Sequence, residues 1–118
     1  MKILAVDDSP TMLEILSSTL DEAGHSVVQA GNGAEAMKNL TDDVDLIISD
    51  LNMVVVSGLQ FLHNVRTSRE YMAKPFVFLT TESDEELKRA AREAGATAWI
   101  LKPFEPRALI KLVEHLAP

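Results

Sequence analysis

A chain of 118 residues with a net charge of −7 is the size of one domain, and its acidic balance argues against a nucleic-acid contact. The absence of cysteine excludes disulfides and thiolate metal sites, and 47% hydrophobic residues favour a globular protein over a disordered one. The first apolar run is too short for a signal peptide and ends in two acids, so we expect a cytoplasmic protein with no membrane contact.

The first half of the chain alternates short apolar runs with amphipathic segments. Residues 3–6 are a continuous apolar run, which predicts a buried strand. Ser9 and Pro10 then mark a helix start, as N-cap and first helical residue, and Gly24 suits the left-handed end of that helix. Residues 27–30 predict a weaker strand near a sheet edge, and the turn after them leads into a short second helix.

The third apolar run, residues 46–48, leads to an acid at Asp50. A carboxylate at the point where a buried strand reaches the surface costs desolvation unless its charge is used. Ligands of open α/β sheets bind just beyond the carboxyl ends of the strands, so Asp50 is the first candidate functional residue. The run of valines at residues 54–56 predicts extended backbone rather than a turn, because β-branched residues favour extension.

The second half of the chain repeats the same alternation. Residues 76–79 and 98–101 predict the fourth and fifth strands. Between them, Ser83 with Glu86 three residues later predicts a capping box at the start of the fourth helix. Pro106 opens the last helix.

Five strands that alternate with five helices, without repeats or linkers, predict one α/β domain over residues 1–118, with helices on both faces of a parallel sheet. Four of the five strands end in groups capable of chemistry: Asp7-Asp8, Asp50, Thr80-Thr81 and Lys102. Asp8 or Thr80 alone is as readily a helix cap as a functional group. Four such endings on one sheet edge indicate a site.

The chemistry of these groups favours phosphoryl transfer. Three carboxylates within hydrogen-bonding range repel one another unless a cation or a proton joins them. Mg²⁺ fits such a cluster, since it is usually held by one or two carboxylates together with phosphate oxygens and water. A lysine and a hydroxyl opposite them can neutralise and orient a phosphoryl group, and an aspartate can itself be the nucleophile.

The motifs Asp7-Asp8, Asp50 with Asn52 and Gly58, Thr80, and Lys102-Pro103-Phe104 lead to a known family. Over its whole length the chain strongly resembles the receiver domain of two-component response regulators, and most of all the single-domain chemotaxis type. The resemblance implies a doubly wound, flavodoxin-like sheet of five parallel strands in the order 2-1-3-4-5. It also implies a phosphorylation-activated signalling switch, which catalyses only its own phosphorylation and dephosphorylation.

The resemblance implies a role for each group at the predicted site. Asp50 resembles the aspartate that accepts a phosphoryl group from a phosphohistidine. Asp7 and Asp8 resemble the family's metal-binding pair, which holds Mg²⁺ together with Asp50 and the backbone carbonyl of Asn52. Lys102 resembles the lysine that neutralises the phosphate.

A conformational switch and its partners are implied in the same way. Thr80 resembles the switch hydroxyl, Trp99 the switch aromatic, and the bond between Lys102 and Pro103 the family's cis peptide. The implied partners are a sensor histidine kinase or phosphotransfer protein, and an effector such as a flagellar motor switch protein or another signalling protein.

Three residues depart from the pattern of the family without removing a group that the chemistry requires. Val54 stands where the family usually has proline, and Thr81 where alanine or glycine is common. Trp99 is bulkier than the usual tyrosine or phenylalanine. Away from the site, three histidines are expected to be solvated: His25, His63 and His115.

Three alternatives share parts of this pattern. A haloacid-dehalogenase-like phosphatase also uses an aspartate at a strand end, but it requires a second acid where this chain has Asn52. A flavin carrier requires a hydroxyl-rich loop after the first strand, and Asp7 and Asp8 would repel its phosphate. A phosphorelay intermediate or phosphate sink has the same chemistry as a signalling switch but acts on no effector. The sequence therefore leaves that alternative open.

Overall fold

The computed structural model describes residues 1–117. In chain order, the elements are β1 (Lys2–Val6), α1 (Pro10–Glu22), β2 (Ser26–Ala30), α2 (Gly33–Asn39), β3 (Leu46–Ser49), α3 (Gly58–Arg66), β4 (Phe76–Thr80), α4 (Glu85–Glu93), β5 (Ala98–Leu101) and α5 (Pro106–His115). The strands form one parallel sheet in the order β2-β1-β3-β4-β5. This confirms the predicted doubly wound, flavodoxin-like fold.

The sheet separates two apolar cores, because successive side chains of a strand point to opposite faces. On one face α1 and α5 cover the sheet, with Leu16 and Val113 buried there. On the other face α2, α3 and α4 cover it, with Phe61 and Ala91 buried. The central strands β1, β3 and β4 are therefore buried on both faces, which explains their continuous apolar runs.

Helix α1 begins and ends as its sequence predicts, whereas α4 begins one residue later than predicted. The hydroxyl of Ser9 accepts a hydrogen bond from the Met12 N–H at 3.2 Å, and Gly24 has a φ of 92°. The prediction of Ser83 as the cap of α4 is wrong. Asp84 is the N-cap, and its carboxylate accepts from the Glu86 N–H at 3.0 Å. A charged acceptor at the positive end of a helix makes the stronger cap.

The prediction of extended backbone over the valine run is also wrong. The Val56 N–H donates to the Val54 carbonyl at 2.9 Å, and Val55 has a φ of 72°, so the chain makes a γ-turn. The Gly58 N–H donates to the Leu51 carbonyl at 2.9 Å, which draws the end of the loop back to the sheet. This closure overrides the β-propensity of valine.

Of the three histidines, His63 and His115 are exposed as predicted, whereas His25 is not. The side chain of His25 is only 9% exposed. Its Nδ1 lies 3.1 Å from the amino group of Met1, and its Nε2 lies 3.4 Å from a carboxylate oxygen of Glu114 on α5. Within residues 1–117, no helix combines the length and the apolarity needed to cross a membrane.

Candidate functional site

Three carboxylates meet at the carboxyl edge of the sheet. Asp7, Asp8 and Asp50 each place an oxygen within 4.8 Å of the other two. They meet because β1 and β3 are neighbours in the sheet, with Val6 opposite Ser49, and each strand is followed directly by an acid. Asp7 is 3% exposed and Asp50 is 9% exposed, whereas Asp8 faces solvent. The structure therefore brings together the acids that the sequence singles out.

Lys102, which follows β5, reaches across the end of β4 to these acids. Its ammonium nitrogen lies 2.7 Å from Asp7 Oδ2 and 3.2 Å from Asp50 Oδ2. Burial lowers the pKa of Lys102, but the hydrogen bond to Asp7 and the charges of Asp50 and Asp7 outweigh burial, so this pKa lies above its ordinary value. The lysine therefore stays charged at neutral pH. The Lys102-Pro103 peptide bond is cis.

The two buried carboxylates are each fixed from two sides. The second oxygen of Asp7 accepts a hydrogen bond from the Ser9 N–H at 2.9 Å, and that of Asp50 accepts from the Leu51 N–H at 2.7 Å. Asp8 makes no hydrogen bond within residues 1–117. The formal charges of the three carboxylates and the one ammonium sum to two negative charges at the site. The cluster can therefore accept a divalent cation without excess positive charge.

Thr80 ends β4 and Trp99 lies on the neighbouring strand β5, and the backbone of Glu82 joins them. Thr80 is fully buried, and its hydroxyl oxygen accepts a hydrogen bond from the Glu82 N–H at 3.2 Å. The indole N–H of Trp99 donates to the Glu82 carbonyl at 3.2 Å, and its ring centroid lies 5.7 Å from that of Phe78. No sequence pattern singles out Glu82, because a contact made by backbone atoms leaves no signal in the type of side chain.

Five exposed residues lie on the loops that follow β1, β3 and β4, and we call them the rim of the site: Asp8, Asn52, Val54, Val55 and Thr81. Within residues 1–117, the Asn52 carbonyl accepts no hydrogen bond, so its oxygen is available to a ligand. The side chain of Val54 is 67% exposed and makes the rim locally apolar. Exposure of Thr81 leaves its hydroxyl at the entrance rather than among the buried groups.

Comparison with known proteins gives one family. Residues 3–114 match the family described as "Response regulator receiver domain". A chemotaxis protein CheY homologue of Campylobacter jejuni is 39% identical over 119 residues, which cover 98% of this chain and 92% of that protein. The chemotaxis protein CheY1 of Helicobacter pylori is 36% identical over 117 residues, which cover 97% of this chain and 94% of that protein.

A solved structure agrees with this assignment at the level of the backbone. The chemotaxis protein CheY4 of Vibrio cholerae superimposes with a TM-score of 0.91 at 40% identity, covering 98% of this chain and 97% of that one. Agreement in sequence and in fold thus extends over nearly the whole chain. The chain belongs to the response regulator receiver domain family, and as a homologue of CheY it is a phosphorylation-activated signalling domain of two-component systems rather than a classical enzyme.

Proposed function

We propose that this domain, residues 1–118, accepts a phosphoryl group on Asp50 from the phosphohistidine of a sensor histidine kinase or phosphotransfer protein in the cytoplasm. The single observation that supports this most is the contact of Lys102 with Asp50 at 3.2 Å, beside two further acids on the same sheet edge. A nucleophilic carboxylate, a fixed cation and a cluster of oxygen ligands together are the parts that phosphoryl transfer requires.

The residues of this chain provide the nucleophile and the positive charge for transfer of the phosphoryl group. An oxygen of Asp50 attacks phosphorus, the P–N bond of the donor breaks, and the donor imidazole leaves with the electron pair. The product is an acyl phosphate on Asp50. The Leu51 N–H fixes one carboxylate oxygen of Asp50, at 2.7 Å, and so orients the nucleophile. Lys102, charged and already beside Asp50, neutralises the negative charge of the phosphoryl oxygens.

The donor set at the site fits Mg²⁺, which prefers oxygen ligands. The groups proposed to hold it are the carboxylates of Asp7, Asp8 and Asp50 and the carbonyl of Asn52. When bound, Mg²⁺ supplies positive charge that stabilises the phosphoryl oxygens during transfer. Lys102 contacts two of the three carboxylates, but its single positive charge balances only one negative charge. The two remaining negative charges favour a divalent ion over a monovalent one.

Phosphorylation changes the surface through Thr80 and Trp99. We propose that the Thr80 hydroxyl moves toward the phosphoryl group, which alters its hydrogen bond with the Glu82 N–H. Because Trp99 is bound to the carbonyl of the same residue, the movement biases the packing of the indole ring. The proposed downstream partner is an effector, such as a flagellar motor switch protein or another signalling protein, which agrees with the chemotaxis names of the relatives.

Labelling with a small phosphodonor tests the acceptor. With Mg²⁺ and acetyl phosphate, the protein should gain one acid-stable, base-labile phosphoryl group, measured by intact-protein mass spectrometry. Asp50→Asn should abolish labelling, because an amide is not a nucleophile here. Asp42→Asn, which changes an exposed acid outside the cluster, should label normally. Normal labelling of Asp50→Asn would overturn the assignment.

Fluorescence tests the switch, because Trp99 is the only tryptophan. Mg²⁺ with beryllium trifluoride, a phosphoryl mimic, should change the emission of the indole ring. Thr80→Ala should reduce the change, since it removes the hydroxyl that contacts Glu82. Thr81→Ala is the matched control, because its hydroxyl is exposed. An equal change in Thr80→Ala and in the unsubstituted protein would contradict the coupling.

A further inference from the structure

Two adjacent valines project from the rim of the site into solvent. Val54 is 67% exposed and Val55 is 82% exposed, and they are the fourth and fifth residues after Asp50. The other large exposed apolar side chains of residues 1–117 stand singly: Ile15, Met72 and Leu101. Val54 and Val55, which we call the valine rim, are thus an exposed apolar pair on the loop that begins at Asp50.

The backbone under the valine rim is strained. Val55 has a φ of 72°, a left-handed conformation in which a β-branched side chain is a genuine outlier. The hydrogen bond from the Val56 N–H to the Val54 carbonyl closes this turn and directs Val55 outward. Asparagine or glycine would adopt the same conformation with less strain and expose less apolar surface.

The fold does not depend on the valine rim for its packing. The third valine of the run, Val56, anchors the loop, because a Cβ on Gly33 of α2 would lie only 2.7 Å from its Cγ1. The hydrogen bond from the Gly58 N–H to the Leu51 carbonyl closes the other end of the loop. Val54 and Val55 are therefore both exposed although they are apolar, and Val55 also has a backbone conformation that valine disfavours. Neither side chain is buried as a result. Such exceptions are expected at functional sites.

We propose that the valine rim is a docking contact for the protein that carries the phosphohistidine, and that it determines which phosphodonor protein is used. The inference rests on the proposed phosphorylation of Asp50. Asp50 is 9% exposed, so a histidine on a protein surface must reach down to it while the surrounding donor surface covers the rim. A small phosphodonor makes no such contact.

The chemistry of the rim identifies the matching surface of the donor. Asp8, Asn52 and Thr81 are polar or charged members of the exposed rim, so the valine rim is its apolar part. An apolar patch beside the phosphohistidine would cover the two valines and remove their side chains from water. Contacts of this kind discriminate between partners, because a donor with a charged group at that point would bury it unpaired.

Two phosphodonors with the same P–N bond distinguish a loss of protein docking from a loss of phosphoryl-transfer chemistry. Phosphoramidate supplies the bond without a protein, and a phosphorylated histidine phosphotransfer domain that labels the unsubstituted protein supplies it on a protein surface. The double variant Val54→Thr with Val55→Thr keeps the β-branched shape and removes apolar surface. We expect its kcat/KM with the protein donor to fall about fivefold to tenfold, while phosphoramidate labelling stays within about twofold.

Two further variants keep the test interpretable. Val55→Asn suits the left-handed backbone, so a lower rate with the protein donor in this variant is not a folding defect. Met72→Gln changes another exposed apolar residue, 53% exposed and ahead of β4 at the opposite end of the sheet, and should leave both rates unchanged.

An unchanged rate with the protein donor in the threonine variant would overturn the inference, as would an equal loss with both donors. So would a loss that accompanies dissociation of a dimer in sedimentation, because the valine rim would then bind a second copy. Failure of phosphoramidate to label the unsubstituted protein would overturn the proposed function instead.

Discussion

The two loops that supply the acids of the site follow opposite rules. The loop after β1 is satisfied locally: Asp7 accepts from the Ser9 N–H, Ser9 caps α1 through the Met12 N–H, and Pro10 occupies the first helical position. Asp7 and Ser9 thus each accept a hydrogen bond from a backbone N–H two or three residues further on. Such a loop needs little from the rest of the molecule to hold its shape.

The loop after β3 is held by closure against the sheet. It carries Asp50 at its start, a γ-turn at Val55 in its middle, and Gly58 at its end, where the chain passes against the backbone of Asp50. The difference teaches that Asp50, the proposed phosphoryl acceptor, lies on the loop whose geometry depends on tertiary contacts. Its local misfits, the strained Val55 and the exposed side chains of Val54 and Val55, lie between these two ends of the loop.

The largest expected effect is on the closure of the second loop. In Gly58→Ala, the new Cβ would lie 2.3 Å from the Asp50 carbonyl oxygen and 2.7 Å from the Leu51 Cα, so the backbone must shift. We expect a loss of about 3 kcal/mol in the free energy of unfolding, measured by urea denaturation. Gly31→Ala is the matched control, since its Cβ meets only a side-chain oxygen at 3.6 Å. A Gly58→Ala protein as stable as this control would contradict the closure.

The proposed Mg²⁺ site takes carboxylates from both loops, and the expected effect of Mg²⁺ on the melting temperature is the next largest. At ten times the dissociation constant, a ligand of the folded state adds about 1.4 kcal/mol to the free energy of unfolding, so the melting temperature should rise. Asp8→Ala should reduce the rise, because it removes a carboxylate of the cluster. Asp42→Ala should not change it. Melting that is indifferent to Mg²⁺ up to tens of millimolar would count against the metal site, since that range is generous for oxygen ligands.

The sequence predicts the first loop and the acid cluster well, because their signals are short-range. Ser9 and Pro10 mark a helix start within two residues, and parallel strands bring Asp7 and Asp50 to one edge by topology alone. The strand runs also predict the fold, since three central strands are apolar on both faces.

The features that the sequence does not predict depend on distant partners. The turn at Val55 follows from the position of Gly58 against the backbone of Asp50. The β-propensity of valine carries no information about that contact. Burial of His25 depends on Met1, just before β1, and on Glu114 of α5, at the far end of the chain. The link through Glu82 is made by backbone atoms, so any side chain could have stood there.

The smallest expected effect is that of proline at Val54 in the second loop, and proline at the neighbouring Val55 gives the comparison. Within residues 1–117 the Val54 N–H makes no hydrogen bond, and Val55 is the one non-glycine residue with a positive φ. Val54→Pro should therefore fit and stabilise the protein by roughly 0.4–1 kcal/mol, because proline restricts the unfolded chain. The Val54 carbonyl still accepts from the Val56 N–H, so labelling with acetyl phosphate should persist. Val55→Pro should destabilise instead, because a φ of 72° is closed to proline. Urea denaturation of both variants measures the difference, and a loss of stability in both would mean that the loop at Val54 is also constrained against proline.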